Sequence, residues 1–261
     1  MAIRGLNSQQ HREILNRLVH LAKSAKIKQL HQAGPEYTSL MVCFLNHCLM
    51  AADSLLHLHE SFGDEYFPTT VGYIIVRPMF EIDVTAHYIT KDPSVRAHQY
   101  IEYESVIKKH QMDACGKHRQ SKKPDWREGM EMIWNYEWAP IEKQVNAKYD
   151  SVCSHFSASK NGKTIRNWSG KSIRQMAIEV DHEEAYDVFY ADLSSFTHAD
   201  VRLADRFLRL ESDGMSWTLQ AHEADTGGVF RYADIFLSCF LTLFGNEFNL
   251  WTKEIVNSCL G

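Results

Sequence analysis

Polar side chains recur at helical spacing within two apolar segments of the chain. In the first segment, Arg77 and Glu81 are four residues apart, and Tyr88 comes round to the same helix face. In the second segment, a four-residue step joins four polar residues: Tyr186, Tyr190, Ser194 and His198. An unpaired polar group inside an apolar helix is costly, so these side chains need partners. They form either a ligand-binding site or a structural network that sets helix packing, and the sequence leaves both interpretations open.

Three of these residues are candidate catalytic groups. His198 is suited to act as a general acid or base, because the unperturbed pKa of histidine lies near 6.5. Arg77 has the planar, charged guanidinium that binds phosphate well, and Glu81 is its nearest acidic partner. Together they would suit a metal-independent RNase.

Other chemistries find less support in the sequence. A di-metal bundle site needs two Glu-x-x-His motifs, and the chain has one, Glu179 to His182, at a helix end. The cluster of His57, His59 and Glu60 has no evident partner elsewhere. The six cysteines form no C-x-x-C pair, and neither a P-loop nor a G-x-S-x-G motif occurs. We therefore expect no metal site and no cofactor.

Composition and charge narrow the class of protein. Of the 261 residues, 44% are hydrophobic and 23% are charged, which is typical of a globular chain. The net charge of −5 excludes a protein dominated by non-specific binding to nucleic acid. Basic residues are still frequent between positions 108 and 123 and between 160 and 174. They are either solvated, or meet as a patch for an RNA or phosphate ligand.

The N-terminal residues contain no apolar segment of the kind found in secretory signals. Near the C-terminal end, the longest apolar stretch covers about ten residues, 235–244, whereas a membrane-spanning helix needs about 20. The sequence thus predicts no membrane segment and a cytoplasmic location.

Helical periodicity dominates the rest of the sequence. It predicts helices over residues 8–31, 36–62, 70–90, 92–118, 125–156, 171–180, 183–197 and 229–257, with a short hairpin within 207–220 as an alternative to a loop. Pro78 either lies in the first turn of its helix or bends it. We predict an all-α fold, a single bundle domain of eight or nine helices over residues 1–261. The apolar final helix is either buried centrally or forms half of a homodimer interface.

The same polar motifs carry a family resemblance. In order, the chain has Arg77-Pro78 with Glu81, Asp92-Pro93, Trp168 with Ser172-Ile173, and Tyr186, Tyr190, Leu193-Ser194 and His198. This pattern resembles a largely bacterial, all-helical family of unknown function that is distantly similar to HEPN domains. HEPN nucleases use an arginine and a histidine separated by four to six residues. The formal match here, Arg4 to His11, lies at the start of the chain, away from the family motifs.

This resemblance implies a helical interaction or nucleic-acid-associated module, non-catalytic, in a bacterial stress or phage-defence system. Two alternatives remain open at this point. One is the metal-independent RNase using His198 and Arg77, and the other is a helical protein that binds a small molecule or a metal.

Overall fold

A computed structural model describes residues 6–25, 34–156, 167–190, 193–194, 208–211, 214–217 and 223–261. Its helices are α1 (Ser8–Lys23), α2 (Pro35–Tyr66), α3 (Thr69–Thr90), α4 (Pro93–His118), α5 (Pro124–Ile133), α6 (Glu142–Val152), α7 (Ile173–Glu179), α8 (Glu183–Ala185), α9 (Glu223–Phe248) and α10 (Lys253–Cys259). The all-α prediction is confirmed. The predicted hairpin is also present, with β1 (Leu208–Glu211) antiparallel to β2 (Gly214–Trp217).

The chain forms two compact units. Unit 1 contains residues 1–91 and 173–261, and unit 2 contains residues 92–172. Unit 2 is thus an insertion between α3 and α7 in the order of the chain. The single bundle domain predicted over residues 1–261 stays a prediction.

The core of unit 1 is built around α9, which packs against α1, α2 and α3. Phe230, Phe240 and Phe244 on α9 are fully buried, as expected for a helix that is apolar around most of its circumference. Of the two roles left open for this helix, the structure shows burial within unit 1. The homodimer stays a prediction.

The final helix predicted over residues 229–257 is in fact two helices, so this prediction was wrong. Asn249 has a φ of 52°, a left-handed conformation that asparagine tolerates and that commonly ends helices. The N–H of Leu250 donates to the carbonyl oxygen of Gly245 at 3.0 Å, which completes the hydrogen-bonding pattern of a helix end. The chain then turns, and α10 begins at Lys253.

Helix α3 carries the polar residues singled out above. It begins at Thr69, so Pro78 lies in the middle of the helix rather than in its first turn. Proline has no N–H, so the carbonyl four residues earlier lacks its helical hydrogen bond. Helix α7 packs against α3 within unit 1 and brings the segment that follows it to the same helix.

Unit 2 consists of α4, α5 and α6 with a small core of its own. Asp92 caps α4 by accepting a hydrogen bond from the N–H of Val95, as its position before Pro93 predicted. Val106, Val152 and Phe156 form the buried centre. In the aromatic-rich segment 125–156, where Pro140 predicted a kink, a π-helical turn, Trp134–Trp138, and a break at Pro140 separate α5 from α6.

Two helices are long and apolar enough to cross a membrane, namely α2 and residues Thr226–Phe248 of α9. The apolar window is 50% buried in α2 and 67% buried in α9. Core helices of globular proteins have the same length and composition, so this is weak support for a membrane location. The predicted absence of a membrane segment and the cytoplasmic location stay predictions.

Candidate functional site

Two polar clusters join α3 to the segment that follows α7. Because residues four apart share a helix face, α3 presents Arg77 with Glu81 and, separately, Asp83 with His87. The partners are His182, just before α8, and Tyr190, in the π-helical turn Tyr186–Tyr190 that continues α8.

In the first cluster, hydrogen bonds join the side chains of Arg77, Glu81 and Tyr190. Arg77 Nε donates to Glu81 Oε1 at 2.9 Å, and Arg77 Nη2 donates to the hydroxyl of Tyr190 at 3.1 Å. That hydroxyl in turn donates to Glu81 Oε1 at 3.2 Å. The guanidinium also lies over the Tyr190 ring, 5.3 Å from its centroid. Partial burial disfavours the charge on Arg77, but the hydrogen bonds and charges of Glu81 and Tyr190 together outweigh burial and hold the pKa of the guanidinium above its usual value.

Tyr186 packs against the tyrosine of this cluster. Its ring stacks on that of Tyr190, with centroids 4.6 Å apart and planes 18° apart. Phe80, which is fully buried, contacts both rings. The π-helical turn therefore places two tyrosines side by side on the apolar surface of α3. Such turns are frequent at functional sites.

The second cluster is more deeply buried and contains Asp83, His87 and His182. Asp83 is 1% exposed, and one potential ligand atom from each of the three residues lies within 4.8 Å of the others. His182 Nε2 is 3.3 Å from Asp83 Oδ2, and His87 Nδ1 is 3.3 Å from Asp83 Oδ1. The two imidazole rings lie close together, with centroids 4.6 Å apart.

Backbone carbonyls determine which nitrogen of each ring carries a proton. Nδ1 of His182 is 2.8 Å from the carbonyl oxygen of Val180, and Nδ1 of His87 is 2.9 Å from that of Asp83. A carbonyl oxygen only accepts hydrogen bonds, so each Nδ1 must be the donor. The other ring nitrogen of His182, Nε2, therefore faces the carboxylate of Asp83. Without a proton, both Nε2 and the carboxylate are hydrogen-bond acceptors, so a proton or a metal ion must lie between them.

The carboxylate of Asp83 has fewer hydrogen bonds than its two oxygens can accept. Among the residues that the structure describes, its Oδ1 has no hydrogen-bond partner. Nδ1 of His87 lies within ion-pair range, but its proton points to the nearer backbone carbonyl. A buried carboxylate oxygen without a donor is unfavourable unless a positive charge compensates it.

The pKa values of the cluster follow from this arrangement. Burial alone would raise the pKa of Asp83, but its contacts with His182 and His87 outweigh burial and hold that pKa below its usual value. The contact with Asp83 is the main cause that raises the pKa of His182, against the opposing effect of burial. In the metal-free protein the cation between the two groups is therefore a proton on His182.

Comparison with known proteins places the chain in a family. Residues 38–215, more than half of the chain, match a family of unknown function, DUF5677. The chain belongs to DUF5677. No curated protein and no solved structure matches it. Both polar clusters lie inside the DUF5677 region, which agrees with the predicted membership of a helical family of unknown function. Its bacterial character and its similarity to HEPN domains stay predictions.

Of the side chains predicted as one site, Arg77, Glu81, Tyr186 and Tyr190 come together inside the DUF5677 region. Tyr88, further along α3, is 5% exposed. Ser194 is half-buried. His198 falls outside the described residues, so the prediction that it acts with Arg77 stays a prediction.

Sequence reasoning missed the role of Asp83 and His87. It considered His182 only as a partner of Glu179, whereas in the structure His182 pairs with Asp83. A signal was available, since Asp83 and His87 have the same four-residue spacing in an apolar helix as Arg77 and Glu81. In the other histidine cluster considered, the paired side chains of His57 and Glu60 are 87% and 71% exposed. His59 does not join them, because its side chain is 18% exposed and its Nε2 lies 3.0 Å from Asp64 Oδ1.

Two thiols, the buried Cys48 and the half-buried Cys239, lie in the electrostatic range of Asp83. Burial, with a smaller contribution from the charge of Asp83, raises the pKa of Cys239 to about 12. The pKa of Cys48 is raised for the same reasons. Both thiols are therefore neutral near pH 7, and within the described residues the group of mutually close ligand atoms consists of Asp83, His87 and His182.

Proposed function

We propose that this protein is a metal-binding helical protein, in which Asp83, His87 and His182 hold a divalent transition-metal ion. The observation that carries the proposal is the convergence of three potential ligand atoms within 4.8 Å around a buried carboxylate. This is one of the alternatives that the sequence left open, and the burial and spacing of the cluster favour it.

The spacing of the cluster suits coordination better than hydrogen bonding. Ligand atoms about 2.0–2.1 Å from a tetrahedral metal ion are roughly 3.4 Å from one another. Nε2 of His182 and Oδ2 of Asp83 are 3.3 Å apart. Charge-assisted hydrogen bonds between nitrogen and oxygen are shorter, at about 2.7–2.9 Å. Little movement is needed to admit an ion.

The surroundings of His182 resemble those of a metal ligand. Metal-binding histidines usually donate their second ring N–H to a carbonyl or carboxylate, which fixes the ring and exposes the other nitrogen to the metal. The hydrogen bond from Nδ1 of His182 to Val180 has this role. An ion that replaces the proton on Nε2 would also supply the positive charge that Asp83 Oδ1 lacks.

The ligand set indicates the class of metal. Two imidazoles with one carboxylate suit Zn²⁺ or Fe²⁺ rather than Ca²⁺ or Mg²⁺, which prefer oxygen ligands. Three protein ligands leave at least one coordination position for water or a substrate. The side chains of His87 and His182 are 23% and 20% exposed, so such a position has a route to solvent.

The test uses the full chain after removal of metals with a chelator. Titration with Co²⁺, followed by its visible absorption, reports both stoichiometry and coordination geometry. We expect one tightly bound equivalent in the wild type and at least about 100-fold weaker binding in His182→Gln, because one of three ligands is lost. Zn²⁺ should displace the Co²⁺ signal.

A matched control separates this site from adventitious binding by the other histidines. His20 lies exposed on α1 with Nδ1 bonded to the carbonyl oxygen of Asn16, so His20→Gln alters a histidine outside the cluster. Its Co²⁺ affinity should match the wild type within twofold. Absence of a stoichiometric Co²⁺ spectrum in the wild type, or an unchanged spectrum in His182→Gln, would overturn the proposal.

Metal binding is proposed ahead of the nucleic-acid role because several of the cations on which that role depends are already paired. Arg77 is bound by Glu81 and Tyr190. In unit 2, three of the basic side chains have acidic partners, in the pairs Lys108–Glu104, Lys109–Asp113 and Arg119–Glu131. The RNA or phosphate ligand, the RNase alternative and the defence role stay predictions.

A further inference from the structure

A second buried ion pair, independent of the proposed metal site, joins the first long helix of unit 1 to the last. His11 on α1 and Asp234 on α9 are 2% and 0% exposed, and His11 Nδ1 is 2.6 Å from Asp234 Oδ2. Both residues lie outside the part of the chain that matches the family. His11 is the histidine of the formal Arg4–His11 match, whereas Asp234 was not among the candidate site residues.

The carboxylate of Asp234 holds the imidazole in one orientation. Burial raises the pKa of Asp234, while the hydrogen bond with His11 opposes that effect. The bond occupies Nδ1 of His11, so any further partner of the ring must be met by Nε2. Among the described residues, Oδ1 of Asp234 has no hydrogen-bond partner.

His11 forms part of the wall of a pocket between these two helices. The pocket has a volume of about 350 Å³, within the range of about 300–1,000 Å³ that is usual for small-molecule sites. It is lined by Leu6, Asn7, Ser8, His11, Gly227, Gly228 and Arg231. Gly227 lies against the start of α1, where a side chain carbon would be 3.8 Å from the backbone of Ser8.

Arg231 gives the pocket a positive charge. It is exposed, and its guanidinium lies over the Tyr232 ring at 5.4 Å from the centroid. Within the part of the chain that the structure describes, no carboxylate forms an ion pair with it. The lining thus combines a planar cation, a histidine backed by a carboxylate, and the small polar side chains of Asn7 and Ser8.

We propose that this pocket binds the oxyanion group of a small molecule, a carboxylate or a phosphate. Arg231 binds the oxyanion through its guanidinium, which matches such groups in geometry. His11 meets the same group with Nε2, while the carboxylate of Asp234 holds Nδ1 on the other side of the ring. This places an anion site between α1 and α9 with no metal requirement.

The test follows the imidazole of His11 directly. Long-range ¹H–¹⁵N spectra of ¹⁵N-histidine-labelled full-length protein, treated with a chelator, are recorded during titration with inorganic phosphate and, separately, with succinate. We expect a saturable shift of the His11 ring with at least one anion, and the anion that binds more tightly identifies the phosphate or the carboxylate class. His11→Gln assigns the signal.

Arg231→Gln is the informative variant, because the exposed side chain contributes little to folding. It should weaken anion binding by at least about tenfold, the loss expected for one charge-assisted hydrogen bond. Arg127→Gln, which removes an exposed arginine of unit 2, should leave the affinity unchanged. The proposal is overturned by the absence of a saturable shift with both anions, by equal affinity in Arg231→Gln, or by an equal shift with chloride at matched ionic strength.

Discussion

The Arg77–Glu81–Tyr190 cluster and the Asp83–His87–His182 cluster both join α3 to the segment that follows α7. They differ in how many of their polar groups are hydrogen-bonded. In the first, the guanidinium, the carboxylate and the hydroxyl bond to one another at 2.9–3.2 Å. In the second, a more deeply buried carboxylate has contacts at 3.3 Å and an oxygen without a donor among the described residues. The first cluster carries its own cation, whereas the second, in our proposal, binds one from solution.

This difference separates a packing device from a candidate ligand site. A closed polar network fixes how two elements meet and has little capacity left for a substrate. An incompletely satisfied carboxylate next to two imidazoles has that capacity. The seven side chains that looked most like a site in the sequence therefore include a cluster whose polar groups bond to one another, and we propose its neighbour as the stronger candidate.

The largest effect is expected for Asp83→Asn, which removes the buried charge that both histidines face. Breaking a buried ion pair from one side typically destabilises a protein by about 3–5 kcal/mol. We expect a loss of that order in the free energy of unfolding, measured by urea denaturation of the metal-free protein, together with loss of Co²⁺ binding.

Asp53→Asn is the matched control for that variant. Asp53 pairs with Lys23 at the surface, and their side chains are 46% and 53% exposed. Such pairs contribute about 0–1 kcal/mol, so the change in stability should be small. Equal destabilisation by Asp83→Asn and Asp53→Asn would show that the Asp83 cluster contributes no more to stability than an ion pair at the surface.

A smaller effect is expected for Glu81→Gln in the first cluster. The variant keeps the shape of the side chain but leaves the guanidinium of Arg77, which is 17% exposed, without its carboxylate. We expect destabilisation of about 1–2 kcal/mol, since Glu81 is partly solvated and water can replace some of its contacts. Co²⁺ affinity should remain within twofold of the wild type, and a loss comparable to that of His182→Gln would contradict the separation of the clusters.

Tyr190→Phe should change stability less. It removes the hydroxyl that bridges Arg77 and Glu81 but keeps the ring that stacks on Tyr186. The loss expected from calorimetry or denaturation is about 0.5–1.5 kcal/mol, typical of one hydrogen bond. A loss near that of Asp83→Asn would mean that the first cluster, and not the second, dominates this junction.

The smallest effect is expected from pH, because each unit of pKa difference between the folded and unfolded protein corresponds to only about 1.4 kcal/mol. The pKa of His182 is raised in the folded protein, so its stabilising contribution is complete below the unfolded value of about 6.5 and is lost as pH rises through the folded value. The pKa of Asp83 is lowered, so its contribution is complete above about 3.9 and is lost as pH falls through the folded value.

With a metal ion bound, the stabilising effect of the site should increase, rather than decrease, as pH rises through the pKa of His182. An ion replaces the proton on His182, so Zn²⁺ affinity should increase as pH rises through the pKa of that residue. Unfolding curves with and without Zn²⁺ between about pH 5 and 8 test this, since the ordinary histidine pKa falls in that range. A stabilisation by Zn²⁺ that does not change with pH would argue against ligation by His182.

Local features of the fold were predictable from the sequence. Asp92-Pro93 marks the start of α4, because an aspartate cap and a proline in the first turn satisfy or avoid unpaired N–H groups. The pairing of Arg77 with Glu81 also follows from a four-residue step on one helix. The division of the final apolar segment at Asn249 was missed, since a left-handed asparagine has no unambiguous sequence signal.

The amino-acid sequence by itself determined the all-α class, most helix starts and the residues that share a face of α3, because these depend on interactions within a few residues. Only the tertiary structure decided that His182 meets Asp83. The same is true of His11 and Asp234, which are 223 residues apart in the sequence. Helical spacing indicates which side chains lie together on one helix. It contains no information on which other helix faces them, since that depends on how the apolar surfaces of distant segments pack.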